Sequence, residues 1–250
     1  MQPNYSVCVN KAYAVLAECA DRKFPVNLNE IVENEHGLKL YKYSDLCKNQ
    51  NLTLREAIDC VGSEYAGLVR RVDTTTLNYR FLIFYNDTLE NEGLIRFSIA
   101  HELGHFYMGH CSLLHEYGSS NIGFDLLDSV FQREADCFAR NLLSPALVFG
   151  ALVCGGGYFP HKVPLGLIKN IFKISNTAAE VRRDFFLKDL NDTLPHHKYI
   201  FSPWSITNAR CCKKCSLYEV AENQHESIRC KICHLGTLDE NQRFSKKSAV

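Results

Sequence analysis

The sequence predicts an α+β fold, in which a small mixed sheet comes before most of the helices. Residues 38–43, 67–72 and 79–85 have the apolar patterns of strands and are bounded by turn-forming residues. Residues 8–20 and 28–34, and the chain from Asn91 onward, repeat their apolar positions at helical spacing. We therefore expect the sheet to pack on the helix that begins near Asn91, with strand 79–85 beside it.

The second half of the chain predicts further helices joined by loops. Residues 110–128 show little periodicity, which indicates a loop. A helix follows, with an apolar stripe that ends at Pro145. The glycines at 155–157, with prolines at 160 and 164, indicate a second loop. Residues 165–172 and 177–187 resemble a helix-turn-helix, but they carry few basic residues, which favours a helical hairpin that completes the core over DNA binding. Residues 189–197 are expected to be a linker.

The net charge says little about partners, while the sequence pattern argues against secretion and membrane insertion. The 250 residues are 46% hydrophobic and 22% charged, and their formal net charge is zero. Such a chain has no basic field to attract nucleic acid and no polybasic membrane anchor. Residues 1–10 do not have the pattern of a signal sequence, and the apolar run 147–159 is too short and too rich in glycine to span a bilayer. We expect a cytoplasmic protein without a membrane partner.

Residues 101–105, with the sequence HELGH, have the spacing of a zinc hydrolase. On a helix His101 and His105 lie one turn apart on the same face, so both can bind one metal ion while Glu102 flanks it. A five-residue pattern also arises by chance, and its context must therefore support it. The opposite face of the helix supplies that support with a core-facing apolar stripe, made of Ile99, Leu103 and Phe106. Gly104 would allow a neighbouring backbone to approach closely.

A third metal ligand is expected from another element. The metzincin pattern is excluded, because Met108 and Cys111 stand where it requires glycine and histidine. His110 projects away from His101 on the helix, while Cys111 and His115 stay open as alternatives. Glu134 is the better candidate, because a carboxylate at the edge of the second helix's buried stripe should meet a cation or a metal.

Residues 96–105 and 134–145 together resemble the ImmA/IrrE family of metallopeptidases. The resemblance is strong over 80–145 and looser over the rest of 1–190, and it implies a zincin-like fold. It also implies a catalytic zinc bound by His101, His105 and Glu134, with Glu102 as the catalytic base. The resemblance further suggests a strand that holds the substrate as an added strand, and by proximity 79–85 is the candidate. The chain departs from the usual family residues at three positions outside this ligand set, namely Ser98, Gln132 and Ser144.

The resemblance also implies a substrate class. Such proteins are described as endopeptidases that cleave helix-turn-helix transcriptional repressors and so derepress genes of mobile elements or stress responses. The competing hypothesis is a non-proteolytic zinc-binding regulatory protein that acts through partner or nucleic-acid binding. A third interpretation, in which the motif histidines are ordinary core residues, is disfavoured by the combined spacing of the motif and the second helix.

The cysteines predict a second, structural zinc in a separate module at 196–250, after a metallopeptidase domain at 1–195. Five of the 12 cysteines fall between positions 211 and 233, and two CxxC pairs are separated by 14 residues, as in a zinc ribbon. Two disulfides are disfavoured without a secretory signal. The expected ligands are Cys212, Cys215, Cys230 and Cys233, with Cys211 and His234 as alternatives. We expect the ribbon to serve stability or protein docking rather than nucleic-acid contact.

Overall fold

An α+β architecture, as the sequence predicts, is present in the computed structural model. The structure describes residues 2–70, 81–110, 122–156, 158–194 and 200, and four short strands beyond them. The elements up to the sheet are α1 (Tyr5–Glu18), β1 (Lys23–Phe24), α2 (Leu28–Asn34), β2 (Leu38–Lys42), α3 (Tyr43–Gln50), α4 (Leu54–Val61), β3 (Ala66–Arg70) and β4 (Phe81–Tyr85).

Side-chain caps explain where several of these helices begin. The side chain of Asn4 accepts a hydrogen bond from the backbone of α1, and that of Asn27 does the same for α2. Thr53 and Glu56 form a capping box at the start of α4. Such caps satisfy backbone N–H groups that have no partner within the helix.

The three-stranded sheet has the order β2-β4-β3. Strand β4 pairs in parallel with β2, from Leu38 opposite Phe81 onward, and antiparallel with β3, where Leu68 lies opposite Ile83. The sheet is therefore mixed, as predicted. The choice of strand 79–85 to hold a peptide was wrong, because β4 has a partner on each side. Within the described residues, β3 is the edge strand nearer the motif helix.

Helix α5 (Glu92–Met108) carries the motif and packs against β3, β4 and helix α6 (Ile122–Leu143). The side chain of Asn91 caps α5, and Gly109 ends it at a φ of 74°. A Cβ atom on Gly104 would lie only 2.9 Å from the Cα of Ala135, so the expected close approach of a backbone at this glycine is confirmed. The expected loop at 110–128 is partly wrong, since α6 begins at Ile122.

The remaining helices close the core around α6. They are α7 (Ala146–Gly156), a 3-10 turn (Pro160–Lys162), α8 (Leu165–Phe172), α9 (Asn176–Asp184) and α10 (Phe186–Asn191). Ile171 and Phe172 of α8 and Ala179 of α9 are fully buried, as a hairpin that completes the core requires. The expected linker at 189–197 begins too early, because Asp189 lies within α10 and its side chain is completely buried.

Four short strands lie beyond residue 200. They are β5 (Ser205–Ile206), which pairs in parallel with β1, and β6 (Ala209–Cys212), β7 (Tyr218–Val220) and β8 (Leu238–Asp239), which form an antiparallel sheet in the order β7-β6-β8. Cys212 is the last residue of β6, whereas Cys215, Cys230 and Cys233 lie outside the described residues. The structural zinc and the domain boundary therefore stay predictions.

Candidate metal centre and catalytic cleft

The motif residues lie in the C-terminal half of α5, with the apolar stripe turned to the core. Leu103 is fully buried and Ile99 nearly so, which confirms the predicted orientation of the helix. On the other side, a cavity of about 580 Å³ is bordered by His101, Glu102 and His105. Residues 61–63 and 65–68, which include the first half of β3, line it as well. The motif therefore faces a cleft beside an edge strand.

Two imidazoles and an amide oxygen converge in this cleft. The Nε2 atoms of His101 and His105 are 3.0 Å apart, and Gln132 Oε1 lies 2.9 Å from His101 Nε2. The amide nitrogen of Gln132 donates to Asp128 at 3.3 Å, which turns the amide oxygen towards the histidines. Gln132 was not among the predicted ligands; its position had been noted only as a departure from the family.

Asp136 is the second residue that the sequence analysis did not select. Its Oδ1 lies 2.8 Å from His101 Nδ1, on the ring edge away from the cleft. Burial alone would lower the pKa of His101, but the hydrogen bond and charge of Asp136 outweigh it and raise that pKa. A carboxylate in this position holds the ring in one orientation, as it does behind many metal-binding histidines.

Glu134 lies on a different face of α6 from Gln132 and Asp136. Its Oε1 accepts a hydrogen bond from the backbone N–H of Asn4 at 2.6 Å, and its Oε2 lies 3.0 Å from His110 Nε2. His110 in turn places Nδ1 3.0 Å from Nδ1 of His105. The structure therefore brings Glu134 behind His105 rather than beside the two Nε2 atoms. The buried carboxylate does meet the polar partners that its burial requires.

The residues that face the cleft fit a zinc-type ion. Two imidazole nitrogens are common zinc donors, the amide oxygen adds a neutral third donor, and a set of three leaves a position open for water or substrate. No group of three His, Cys, Asp or Glu side chains suited to a metal occurs within the residues that the structure describes. The third donor at this centre is an amide oxygen, which belongs to none of those four residue types.

Glu102 borders the same cavity. Burial raises its pKa to about 7, while the charge of His101 and the backbone of Leu68 act in the opposite direction. Burial also lowers the pKa of His105 to about 3 and that of His110 below its ordinary value, so both rings are neutral near pH 7. The cleft thus places a carboxyl group that can exchange a proton near neutral pH beside two histidines.

A helix with two histidines and a glutamate, facing a cleft beside a sheet edge, defines a site of the metallopeptidase class. Residues 63–182 match the family model of the IrrE N-terminal-like domain, peptidase family M78, so this part of the chain is similar to that metallopeptidase family. The match includes both helices that line the site, and it confirms the resemblance drawn from the motifs. A search of curated proteins found no match to the chain. None of the helices in the described ranges is long and apolar enough to cross a membrane.

Proposed function

We propose that the protein is a zinc-dependent endopeptidase in which His101, His105 and Gln132 hold the catalytic metal. The observation that carries this proposal is the convergence of their donor atoms. Nε2 of His101 lies 3.0 Å from Nε2 of His105 and 2.9 Å from Oε1 of Gln132. Glu134, the ligand implied by the family resemblance, lies behind His105 and is not a metal ligand in this proposal.

Glu102 is the proposed catalytic base. When bound, zinc would lower the pKa of a coordinated water and polarise the scissile carbonyl. Glu102 takes the proton from the attacking water and returns it to the leaving amine nitrogen. Asp136 keeps the ring of His101 in place throughout. The partly buried position of Glu102 beside the histidines supports this role.

Strand β3 is the proposed docking edge for the substrate. Ala66, Gly67 and Leu68 line the cleft, and β3 is an edge strand within the described part of the sheet. An extended peptide added to that edge would run past the motif, with its backbone hydrogen bonded to the strand. This arrangement suits an endopeptidase, because it recognises the peptide backbone and requires no chain end.

The proposed substrate is a helix-turn-helix transcriptional repressor, whose cleavage would derepress mobile-element or stress-response genes in the cytoplasm. The support for this identity is the family of the domain. The proposed structural zinc on Cys212, Cys215, Cys230 and Cys233 would fold a C-terminal module for stability or for docking the substrate.

The test is incubation of a repressor encoded beside this gene with zinc and either the wild-type chain or Glu102→Gln. We expect one specific cut by the wild type, seen on a gel and located by mass spectrometry, and none by the variant. Metal content measured on both proteins is the control, because Glu102→Gln should leave the donors intact. Cleavage by Glu102→Gln at the wild-type rate would contradict the assigned base.

A specific observation favours the second candidate function, a non-proteolytic zinc-binding regulator. Gln132 offers a neutral oxygen, and a neutral donor attracts a divalent cation less strongly than a carboxylate does. If the wild type binds the repressor without cutting it, and Gln132→Glu does not cut it either, the regulator is favoured. A cut by Gln132→Glu alone would indicate a peptidase site weakened at this residue.

A further inference from the structure

Two buried ionisable side chains lie behind the proposed metal site and take no part in the proposed reaction. His110 is 1% exposed and Glu134 is 7% exposed. They form a continuous hydrogen-bonded series with the Asn4 backbone and His105, at distances of 2.6, 3.0 and 3.0 Å. The ring of His110 also stacks on Phe131, with centroids 4.2 Å apart. Burying such groups is costly unless each finds a partner, and here each does.

The series has a fixed direction, because a carboxylate can only accept hydrogen bonds. Glu134 therefore receives one hydrogen from the Asn4 N–H and another from Nε2–H of His110. A neutral histidine carries one N–H, so His110 Nδ1 must accept the hydrogen of His105 Nδ1. It follows that His105 has no hydrogen on Nε2 and presents a lone pair to the cleft.

Asp136 imposes the same arrangement on His101. By accepting the hydrogen of His101 Nδ1, it leaves a lone pair on Nε2 of the neutral ring, the form in which a histidine binds a metal. Two lone pairs then face each other across 3.0 Å, with Gln132 Oε1 as a third acceptor at 2.9 Å from His101. In that form three acceptors converge in the cleft, and a bound cation would be the partner that they share.

We propose that Glu134 and His110 are positioning residues that fix the tautomer of His105, so that its Nε2 is ready to bind a divalent cation of the zinc type. The N-terminal segment takes part, because the Asn4 N–H occupies one oxygen of Glu134 and leaves the other for His110. This inference rests on the proposed metal donors and does not require that the protein cleaves peptides.

Glu134→Gln is the informative variant, because it keeps the size of the side chain and reverses one hydrogen bond. If the amide oxygen of the new glutamine accepts from Asn4, its NH₂ must donate to His110 Nε2. His110 then carries its hydrogen on Nδ1, and His105 is forced to carry its own on Nε2. A residue with a merely structural role would tolerate this substitution without any change at His105.

The first measurement is Zn²⁺ affinity of the metal-stripped full chain, by competition with a fluorescent chelator. We expect Glu134→Gln to bind about 10–100-fold more weakly than the wild type, the usual effect of losing an outer partner of a metal-binding histidine. The same titration of His105→Ala measures binding elsewhere in the chain, including the four-cysteine segment. Glu180→Gln, an equal charge change on the exposed face of α9, should leave the affinity unchanged.

The second measurement is the histidine tautomer, by ¹⁵N-detected NMR of the metal-free chain with labelled histidine. We expect the hydrogen of His105 on Nδ1 in the wild type and on Nε2 in Glu134→Gln. A wild-type His105 with its hydrogen on Nε2 would overturn the proposal, whether or not any variant folds. If Glu134→Gln does not fold, His110→Phe decides by affinity, since it retains the stacking on Phe131; wild-type affinity there also overturns the proposal. A chain without peptidase activity still gives both readouts.

Discussion

Gln132 determines the charge of the proposed metal centre. Metal-bound imidazoles and an amide oxygen are neutral, so the three donors bring no negative charge to the ion. The carboxylates of Asp136 and Glu134 lie behind the rings, and Glu102 borders the cavity as the proposed base. Electrostatic attraction for a divalent cation is therefore weaker than a set with a carboxylate would give. Gln132 is exposed, so we expect substitutions there to change the affinity of the proposed site while leaving the fold intact.

We predict that Gln132→Glu binds Zn²⁺ at least about tenfold more tightly, which corresponds to ~1.4 kcal/mol. The added carboxylate would lie beside His101 Nε2, as the amide oxygen does now. The chelator competition described above measures the change. Gln132→Met is the matched variant, since it has a similar length without the oxygen, and it should bind more weakly than the wild type. Equal affinities for all three proteins would place the metal away from this residue.

Some residues of the candidate site could be predicted from the sequence and others could not. The HELGH motif and its apolar stripe were sufficient to place His101, Glu102 and His105 in a cleft. Gln132 and Asp136 could have been found together, because residues four apart share a helix face, whereas Glu134, two residues from each, cannot share it. The partner of Glu134 could not be predicted, since Asn4 is 130 positions away along the chain.

At the scale of elements, the contact between α5 and α6 brings the histidines to Gln132. The two helices touch at Gly104, where the backbone and Cβ of Ala135 lie 2.9–3.2 Å from the place of a missing Cβ. A backbone neighbour cannot swing aside as a flexible side chain can. The distance between the two helices therefore depends on the absence of a side chain at position 104.

We predict that Gly104→Ala lowers the free energy of unfolding by about 1–2 kcal/mol, because overpacking exceeds the gain in helix propensity. Urea unfolding followed by circular dichroism gives this value. Gly166→Ala is the control, since a Cβ there meets no atom within 4 Å and alanine should stabilise α8 by up to about 1 kcal/mol. A Gly104→Ala protein as stable as the wild type would show that the helices can separate at no cost.

Local sequence patterns predicted where helices and strands occur along the chain better than how the strands are arranged in the sheet. The strand patterns and the 28–34 helix agree with the observed elements to within a few residues. The order of the sheet was not predictable in the same way, because the pairing of β4 between β2 and β3 depends on contacts between distant residues. Helices α3 and α4 were missed, since each is only eight residues long and buries one residue.

For the molecule as a whole, a buried ionic cluster joins α6, α9 and α10. Asp189 accepts hydrogen bonds from Arg140 Nε at 2.7 Å, Arg182 Nη2 at 2.8 Å and Asn141 Nδ2 at 3.0 Å. The Asp189 and Arg182 side chains are completely buried. Burial alone would raise the pKa of Asp189, but the hydrogen bonds and charges of the two arginines hold it below 3.8.

We predict that Asp189→Asn lowers the free energy of unfolding by about 3–5 kcal/mol, since it leaves two buried arginines without a counter-charge. The folded-state pKa of Asp189 is depressed, so its contribution is fully present above its unfolded pKa of about 3.8 and is lost as pH falls through the lower folded value. Urea unfolding of both proteins at several pH values tests this. The difference in free energy of unfolding between the wild type and Asp189→Asn should stay constant near neutral pH and decrease only in strong acid. A decrease already above about pH 5 would contradict a depressed pKa of Asp189.

The α+β class was predictable from the sequence because it depends on periodicity alone. The extent of the domain was harder to predict. Asp189 and its neighbours have the composition of a polar linker, yet Asp189 is buried and pairs with arginines on α6 and α9. A charged segment is expected to be exposed unless the fold supplies a buried partner of opposite charge, and the sequence alone does not show whether it does.

The hydrogen bond from Asn4 to Glu134 has a consequence for the order of events during synthesis. The two residues are 130 positions apart, and Gln132 and Asp136 lie in the same late segment. A nascent chain that ends before α6 holds both motif histidines but neither Gln132 nor the residues that orient their rings. Metal binding at the proposed site would therefore require a chain that already includes α6.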